Sequence, residues 1–418
     1  MNNQTAEKIL GCAIDGLAAA ESDYSNIDDY LDSRLAEPGL RRSVSSILFE
    51  YYRHKNIVDS LLNSLIKKPC KSPLRYLLCV AATQMLYQDG IASASAVNVA
   101  VSAAKKHFGQ HSGNFVNGVL RNLDRIDVNV FCGNLDSVQA SNLPSAIYRH
   151  WQKIHPDYLD TLIDLLKRRA PFTFRACGAA LSESESASVE AVPISAPGFY
   201  FYLTNNPGLL FKSNMLADGR IYIQDPATAL APVMSAPLPT EKIIDLCAAP
   251  GGKTLMLAEL IGEDGNLIAV DRSEIRQKIT AQNLLLRGHQ FPVITTLEFE
   301  QQRNEERFDL ILVDAPCSNT GVFHRRPDVL WRFSPKKLNE LVKIQMLLLK
   351  YAAGIITPSG RIVYSTCSIE PAENHTLVAE FIKTNPEFNL NSETQLMPCS
   401  ENDGAYAAVL KREPASGM

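Results

Sequence analysis

From Thr5 to about Leu123, apolar residues recur at three- and four-residue spacing, with glycine or proline only at breaks, and that period predicts helices. Ile9, Cys12, Ala13 and Leu17 share one face, and Leu74, Leu77, Leu78, Ala81 and Leu86 share another, so a helical bundle is expected. A further helical pair is expected between Asp136 and Ala170, where Trp151, Tyr158 and the ladder Leu159, Leu162, Ile163 and Leu166 end in Lys167-Arg168-Arg169. Pro171–Arg175 reads as a strand, and serine- and glutamate-rich Ser182–Ser188 as a loop rather than a packed element. Short alternating pieces follow to Ile223. After Glu241 the period changes: Ile243–Cys247, Leu267–Asp271, Val293–Leu297, Phe308–Asp314 and Arg361–Thr366 read as strands separated by helical or loop segments, and Asp403–Arg412 as a last edge strand. This rhythm predicts an α/β unit with a mostly parallel, Rossmann-like sheet, whose ligands belong at the carboxyl ends of the strands. The expected division is an all-α bundle over 1–138, a small α+β connector over 139–235 and the α/β domain over 236–414.

Composition narrows this only a little. At 418 residues the chain is long enough for two or three domains, and 46% apolar residues can fill their cores. A net charge of −4 gives no global basic signature, so any nucleic-acid contact must rest on local patches. One is Lys105, Lys106, His107 and Arg121 around Asn114–Leu123. A basic helix end is ordinarily a solvated face; an RNA-contact surface beside a long helix is the alternative. The nine cysteines show neither C-x-x-C nor zinc-finger spacing, so no disulfide framework and no metal site is expected. With no apolar signal core and no 18-residue apolar run, a soluble cytoplasmic monomer without membrane partners is expected.

The stretch Ile243-Ile-Asp-Leu-Cys-Ala-Ala-Pro-Gly-Gly-Lys-Thr254 runs a buried-strand signal into a turn only small residues can make, and Leu255–Ile261 then reads as a helix. Glycines at the top of a strand let the backbone approach a ligand, and the next helix turns its free N–H groups toward it. Gly-Lys-Thr suggests a phosphate-binding P-loop, but that pattern needs glycine where the chain has Cys247. The acid expected about 20 residues on, at the next strand end, is Asp271. An adenosine rather than a triphosphate is therefore the expected guest. Lys253 either caps its own turn or enters the site.

Asp314-Ala-Pro-Cys317 and Ser365-Thr-Cys-Ser368 each put a thiol in a turn at a strand end. A lone cysteine after a strand is usually a small buried apolar residue. Two at the ligand edge, one preceded by Asp-x-Pro, point to reactivity, with helix starts at Ser318 and Pro371 and nearby Lys253 expected to lower a thiol pKa. A thiolate adding to C6 of a pyrimidine makes C5 nucleophilic toward the methyl of S-adenosylmethionine; an acid at N3 stabilises the adduct, and a second group helps its release. Asp314 suits the acid, and spacing leaves open which thiol does which. His324-Arg325-Arg326 would attract phosphate beside this site. Trp331 and Phe323 read as core residues that could instead stack on an extruded base, and Asp225 as a turn acid or a site residue.

Asp-Leu-Cys-Ala-Ala-Pro-Gly-Gly-Lys-Thr254, Asp-Ala-Pro-Cys-Ser-Asn-Thr-Gly321 with Arg326-Pro-Asp-Val-Leu-Trp331, and Tyr-Ser-Thr-Cys-Ser-Ile-Glu-Pro-Ala-Glu-Asn374 resemble the motifs of RNA cytosine-5 methyltransferases of the Sun/RsmB type. The helical first third, with Asn114-Phe-Val-Asn-Gly-Val-Leu-Arg121, resembles the NusB-like domain those bacterial proteins carry. The resemblance implies a class I S-adenosylmethionine-dependent fold, Cys367 as nucleophile and Cys317 as the releasing cysteine. It implies that Cys247, Ala248, Ala249, Pro250, Gly251, Gly252 and Lys253 hold the cofactor, with Asp271 at the ribose, Arg276 on the cofactor side, and Asp314 between the methionine end and the target base. The substrate side would comprise Lys253, Pro316, His324, Arg325 and Arg326, and the substrate a cytosine of small-subunit 16S rRNA. The chain departs from the family after the third strand, where Thr295-Thr-Leu-Glu-Phe299 replaces a Gly-Asp pair that places an acid by the adenine; either Glu298 binds the cofactor there with a one-residue offset, or adenine binding is weaker. It departs again at Phe174-Arg-Ala-Cys177, where Leu-Arg-Val-Asn is usual. The rivals are a P-loop-like nucleotidase and a non-catalytic RNA-binding or assembly factor.

Overall fold

A computed structural model describes residues 3–22, 27–196, 198–303 and 305–413; the expected domain end at 414 lies just outside them. The chain forms two compact units. One holds the described residues up to Arg168 together with Arg325–Phe333, and the other holds Arg169–His324 and the described residues from Ser334 onward. Among the described residues no helix is long and apolar enough to cross a membrane.

The first unit is helical. Its long helices, among them Asn3–Ser22, Pro38–Arg53, Ser72–Tyr87, Ser93–Phe108 and Gln110–Leu123, bury the stripes the periodicity marks, so Ile9, Ala13, Leu17, Leu77, Leu78 and Ala81 form one core with Val116 and Leu120. Helices Ser145–Ile154 and Leu159–Leu166 belong here too, and Arg53 donates through Nη1 to the carbonyls of Leu166 (2.9 Å) and Arg168 (2.6 Å), satisfying a helix end that would otherwise be bare. The excursion Arg325–Phe333 joins this core: Trp331 Nε1 donates to the Tyr52 carbonyl (3.0 Å), Lys55 Nζ lies 5.2 Å from its ring, and Arg326 pairs with Asp28 at 3.0 Å.

The second unit begins with a four-stranded antiparallel sheet: β1 (Phe172–Ala176), β2 (Val192–Ile194), β3 (Tyr200–Thr204) and β4 (Ile221–Tyr222), in the order β2-β3-β1-β4. Ser182–Ser188 is not the expected loop. Glu183–Ser188 is a short helix whose capping box is explicit: the Glu185 N–H donates to Ser182 Oγ and the Ser182 N–H donates to Glu185. Arg220 ties Glu185 to the neighbouring turn at 3.0 Å.

The main sheet has strands β5 (Lys242–Asp245), β6 (Asn266–Asp271), β7 (Val293–Thr295), β8 (Phe308–Asp314), β9 (Ile356–Thr366), β10 (Phe388–Leu396) and β11 (Ala405–Arg412), ordered β10-β11-β9-β8-β5-β6-β7. β9, β8, β5, β6 and β7 are parallel; β11 lies antiparallel between β9 and β10, so it is an interior strand and not the edge expected. Alternation along β8 sends Ile311 and Val313 into the core on one face and Leu310 and Leu312 into the other. From β5 the chain winds outward through β6 and β7, then restarts on the other side with β8 and β9. That reversal, between β5 and β8, is where a doubly wound sheet opens a crevice at its carboxyl edge.

Candidate active site

The turns after β5 and β8 flank this crevice. After β5, the Leu246 N–H donates to the Leu312 carbonyl (2.9 Å) and the Ala248 N–H to the Val270 carbonyl (3.0 Å), stretching the turn across two neighbouring strands. Gly251 has φ +98°, and a Cβ there would lie 2.9 Å from Thr280; a Cβ on Gly252 would lie 3.0 Å from Gln224. Only glycine lets the backbone fold this tightly before the helix Gly252–Ile261, whose first N–H groups remain for a ligand.

Asp271, buried at the end of β6, accepts from the N–H groups of Ala249 (3.1 Å) and Ser273 (2.9 Å), so one carboxylate braces the turn. Arg276 reaches the same turn through Nη2, which donates to the Ala249 carbonyl at 2.6 Å. Glu298 does something different: with Thr295 it forms a cap, accepting from the Thr295 N–H (2.7 Å) and hydroxyl (2.8 Å) at the end of β7, and those hydrogen bonds lower its pKa. Cys247 is half-buried, and burial, together with the charges of Asp245, Asp314 and Asp271, pushes its thiol upward, so it behaves as a protonated side chain of the turn.

The two predicted thiols meet. Cys317 Sγ and Cys367 Sγ are 3.3 Å apart, although the residues lie on turns after different strands. The approach is enforced by backbone. The Gly321 N–H donates to the Cys367 carbonyl (2.9 Å) and the Gly404 N–H donates to the Gly321 carbonyl (2.9 Å), and a Cβ on Gly321 would lie 2.6 Å from the Cys367 oxygen. Cys317 is buried, whereas Cys367 lines a small cavity with Lys253, Ser365, Thr366, Asp225 and Asp403.

Lys253 Nζ donates to Asp314 Oδ2 at 2.7 Å, and the Ser365 hydroxyl donates to Asp314 Oδ1 at 2.8 Å. Burial opposes the charge on Lys253, but Asp314, by charge and hydrogen bond, outweighs it with help from Cys367 and Asp245, and the amine is held above its ordinary range. Cys317 is the opposite case. The hydrogen bond it shares with Cys367, burial and the charges of Cys367 and Glu373 hold its thiol well above the usual value. The expected helix starts at Ser318 and Pro371 are single 3-10 turns, Thr320–Val322 and Pro371–Glu373, too short for a dipole that would favour a thiolate.

Pro316 is exposed and its carbonyl accepts from Gln345 Nε2 (2.9 Å). His324 is buried, Arg325 and Arg326 group with the helical unit, and Arg326 is committed to Asp28 and the Phe49 ring. Phe323 is fully buried, so the core reading holds for it as for Trp331. Asp225 is a cap, accepting from the Ala227 N–H (2.9 Å), and it also accepts from the Asp403 N–H (3.0 Å) beside Cys367. Ser365, Asn319, Glu373 and Asp403 escaped the sequence reading. Glu373 accepts from the Ser318 N–H and Gln345 Nε2, both at 2.9 Å, and so locks the Cys317 turn.

Residues 232–411 match the family described as 16S rRNA methyltransferase RsmB/F, and residues 8–125 match the NusB family. A ribosomal RNA small subunit methyltransferase B from Vibrio vulnificus is 29% identical over 440 residues, spanning 95% of this chain and 99% of its own. Its counterpart from Citrobacter koseri is 27% identical over 436 residues, spanning 99% and 100%. The crystal structure of a methyltransferase homologue from Pyrococcus horikoshii, 25% identical, covers 66% of this chain and 98% of its own with a TM-score of 0.57.

Proposed function

Because the chain belongs to the RsmB/F family of 16S rRNA methyltransferases and carries a NusB-family domain, we propose that it methylates C5 of a cytosine in 16S rRNA through a covalent bond between Cys367 and C6. The observation that supports this best is the pair of sulfurs 3.3 Å apart beside a Lys253–Asp314 ion pair, at the crevice where the sheet order reverses.

The turn Cys247–Gly252 suits S-adenosylmethionine: Gly251 takes a left-handed backbone with Thr280 too close for a Cβ, the following helix offers free N–H groups, and Asp271 and Arg276 hold the turn's shape. When bound, that cofactor supplies an electrophilic methyl group. The chain's own residues do the rest. Cys367 lines the cavity and influences Lys253 electrostatically, so it is the sulfur with access to a base and a cation beside it. Its S–H proton passes to solvent, the electron pair left on sulfur attacks C6, and N3 takes a proton from the Lys253 ammonium held by Asp314. C5 becomes nucleophilic and accepts the methyl group; its hydrogen then leaves as a proton to the Cys317 sulfur. The Cys367–C6 bond breaks and returns its electrons to sulfur while N3 gives back its proton. Cys317, kept as a thiol 3.3 Å from Cys367, would serve this release by giving its S–H proton to the departing Cys367 sulfur as its own sulfur takes the C5 proton. The helical unit and the small sheet would grip RNA around a base taken out of its stack.

Incubating the protein with methyl-labelled cofactor and unmodified 16S rRNA tests the reading. Label is expected in 5-methylcytosine and lost in Cys367→Ala; undiminished label in that variant would exclude the covalent route.

A further inference from the structure

Asn319 follows Cys317 by two residues and holds a left-handed backbone, φ 58° and ψ 24°. Glycine makes that turn without a Cβ penalty, and asparagine is among the few side chains that tolerate it. The carboxamide is used. Its Oδ1 accepts from Cys367 Sγ at 2.9 Å and lies 3.8 Å from Cys317 Sγ, while the Asn319 backbone N–H bonds the Cys317 sulfur. One residue therefore touches both thiols, although they come from turns after β8 and β9. Lys253, the nearby cation, is held by Asp314 at 2.7 Å and does not replace it as a direct partner of the sulfur.

A carboxamide is an acceptor on one side and a donor on the other, with nearly the same shape, so a half-turn about its Cβ–Cγ bond exchanges the two. Facing oxygen first, it receives the Cys367 S–H. After the proton passes to solvent and the electron pair stays on sulfur, the oxygen would repel the thiolate and the NH2 group would bond it. We propose that Asn319 orients Cys367 in both protonation states, accepting from the thiol and, turned over, donating to the thiolate that attacks the base. This rests on Cys367 being the attacking sulfur. Neither glycine nor aspartate can do the same: glycine has no group to offer, and a carboxylate only accepts.

The test follows alkylation of Cys367 in the full-length protein by iodoacetamide, read on its peptide by mass spectrometry from about pH 6.5 to 10.5. Losing a hydrogen bond to a charged sulfur predicts that Asn319→Gly reacts about tenfold more slowly near neutral pH and approaches the wild-type rate at the alkaline end. Asn319→Asp, isosteric and negatively charged, should be slower still at neutral pH. Glycine suits the left-handed turn, so thermal melting of Asn319→Gly should be unchanged or raised. Coincident wild-type and Asn319→Gly curves, or a ratio constant across the pH range, would overturn the proposal, since a role in shaping the turn or gating access would leave the pH profile unmoved. The assay contains no RNA. If Cys367→Ala still methylated rRNA, the proposed function would fail while the alkylation result stood; if Cys367 proved essential and the curves coincided, Asn319 alone would lose its role.

Discussion

At the scale of single residues, the chemistry is concentrated in groups whose environments push them apart. Cys317 is held as a thiol and Lys253 as an ammonium, and Cys367 lines the cavity together with Lys253. On the proposed mechanism, Cys367→Ala should lower methylation by more than about 10³-fold, measured as label transferred per minute. Cys317→Ala should instead leave a protein–RNA adduct that survives a denaturing gel, and the adduct should vanish in the double variant; an adduct from Cys367→Ala would swap the roles. Asp245, whose Oδ2 accepts from Thr254 Oγ1 at 2.7 Å, is fully buried, and that burial, reinforced by the Asp314 charge, raises its pKa to about 7. Because the folded value lies above the unfolded one, its neutral form stabilises the fold fully at acid pH, and that contribution is lost as pH rises toward 7. Asp245→Asn cannot ionise, so between about pH 4 and 8 its unfolding free energy in urea should gain on the wild type by a few kcal/mol, on the order of 4. A gap independent of pH would mean that Asp245 stays ionised. That Cys317 and Cys367 would stand at one edge was legible in the sequence, because both follow strands of the parallel sheet. Asn319 and Asp403 were not, since spacing places a Cα at an edge without saying which side chain turns inward.

At the scale of elements, the site depends on turns more than on the strands that deliver them. A methyl group on Gly321 would strike the Cys367 oxygen at 2.6 Å and the Gly404 oxygen and Cα at 2.8 and 2.9 Å, all backbone atoms that cannot swing away. Gly321→Ala should therefore cost about 2 kcal/mol or more in denaturant unfolding and lower methylation over about tenfold, because it forces the two thiol turns apart. At the small sheet, Ser182→Ala removes the cap on Glu183–Ser188 and should cost about 1 kcal/mol locally, seen as faster amide exchange in that helix with methylation unchanged. Serine and glutamate in alternation looked like a linker; the spacing Ser182-x-x-Glu185 was the overlooked signal, and it outweighs composition because both side chains close on the backbone. β11 was read as an edge for a similar reason. Its fully buried run Ala405–Leu410 already had an interior composition, but position at the end of a sequence says nothing about position in a sheet.

At the scale of the whole molecule, the chain forms two compact units, and Arg325–Phe333 leaves its neighbours in sequence and packs with the helical one. No local periodicity marks such a return; Trp331, read as a core residue and placed in the short helix Asp328–Arg332, carried a weak signal. Its indole bonds the Tyr52 carbonyl, and Trp331→Ala should cost about 2 kcal/mol or more in unfolding of the helical unit. A fragment starting at residue 232 spans the matched methyltransferase region, yet carries those nine residues without the helices they pack on. Its Trp331 emission should be red-shifted relative to the full chain, and an unshifted spectrum would show that the excursion folds by itself. Exchange of the helical half between two such proteins thus cannot be made by one crossover near Arg168. A working chimaera needs a second splice that brings the donor's own counterpart of Arg325–Phe333, so the two stretches are inherited as one cassette despite the 156 residues between them.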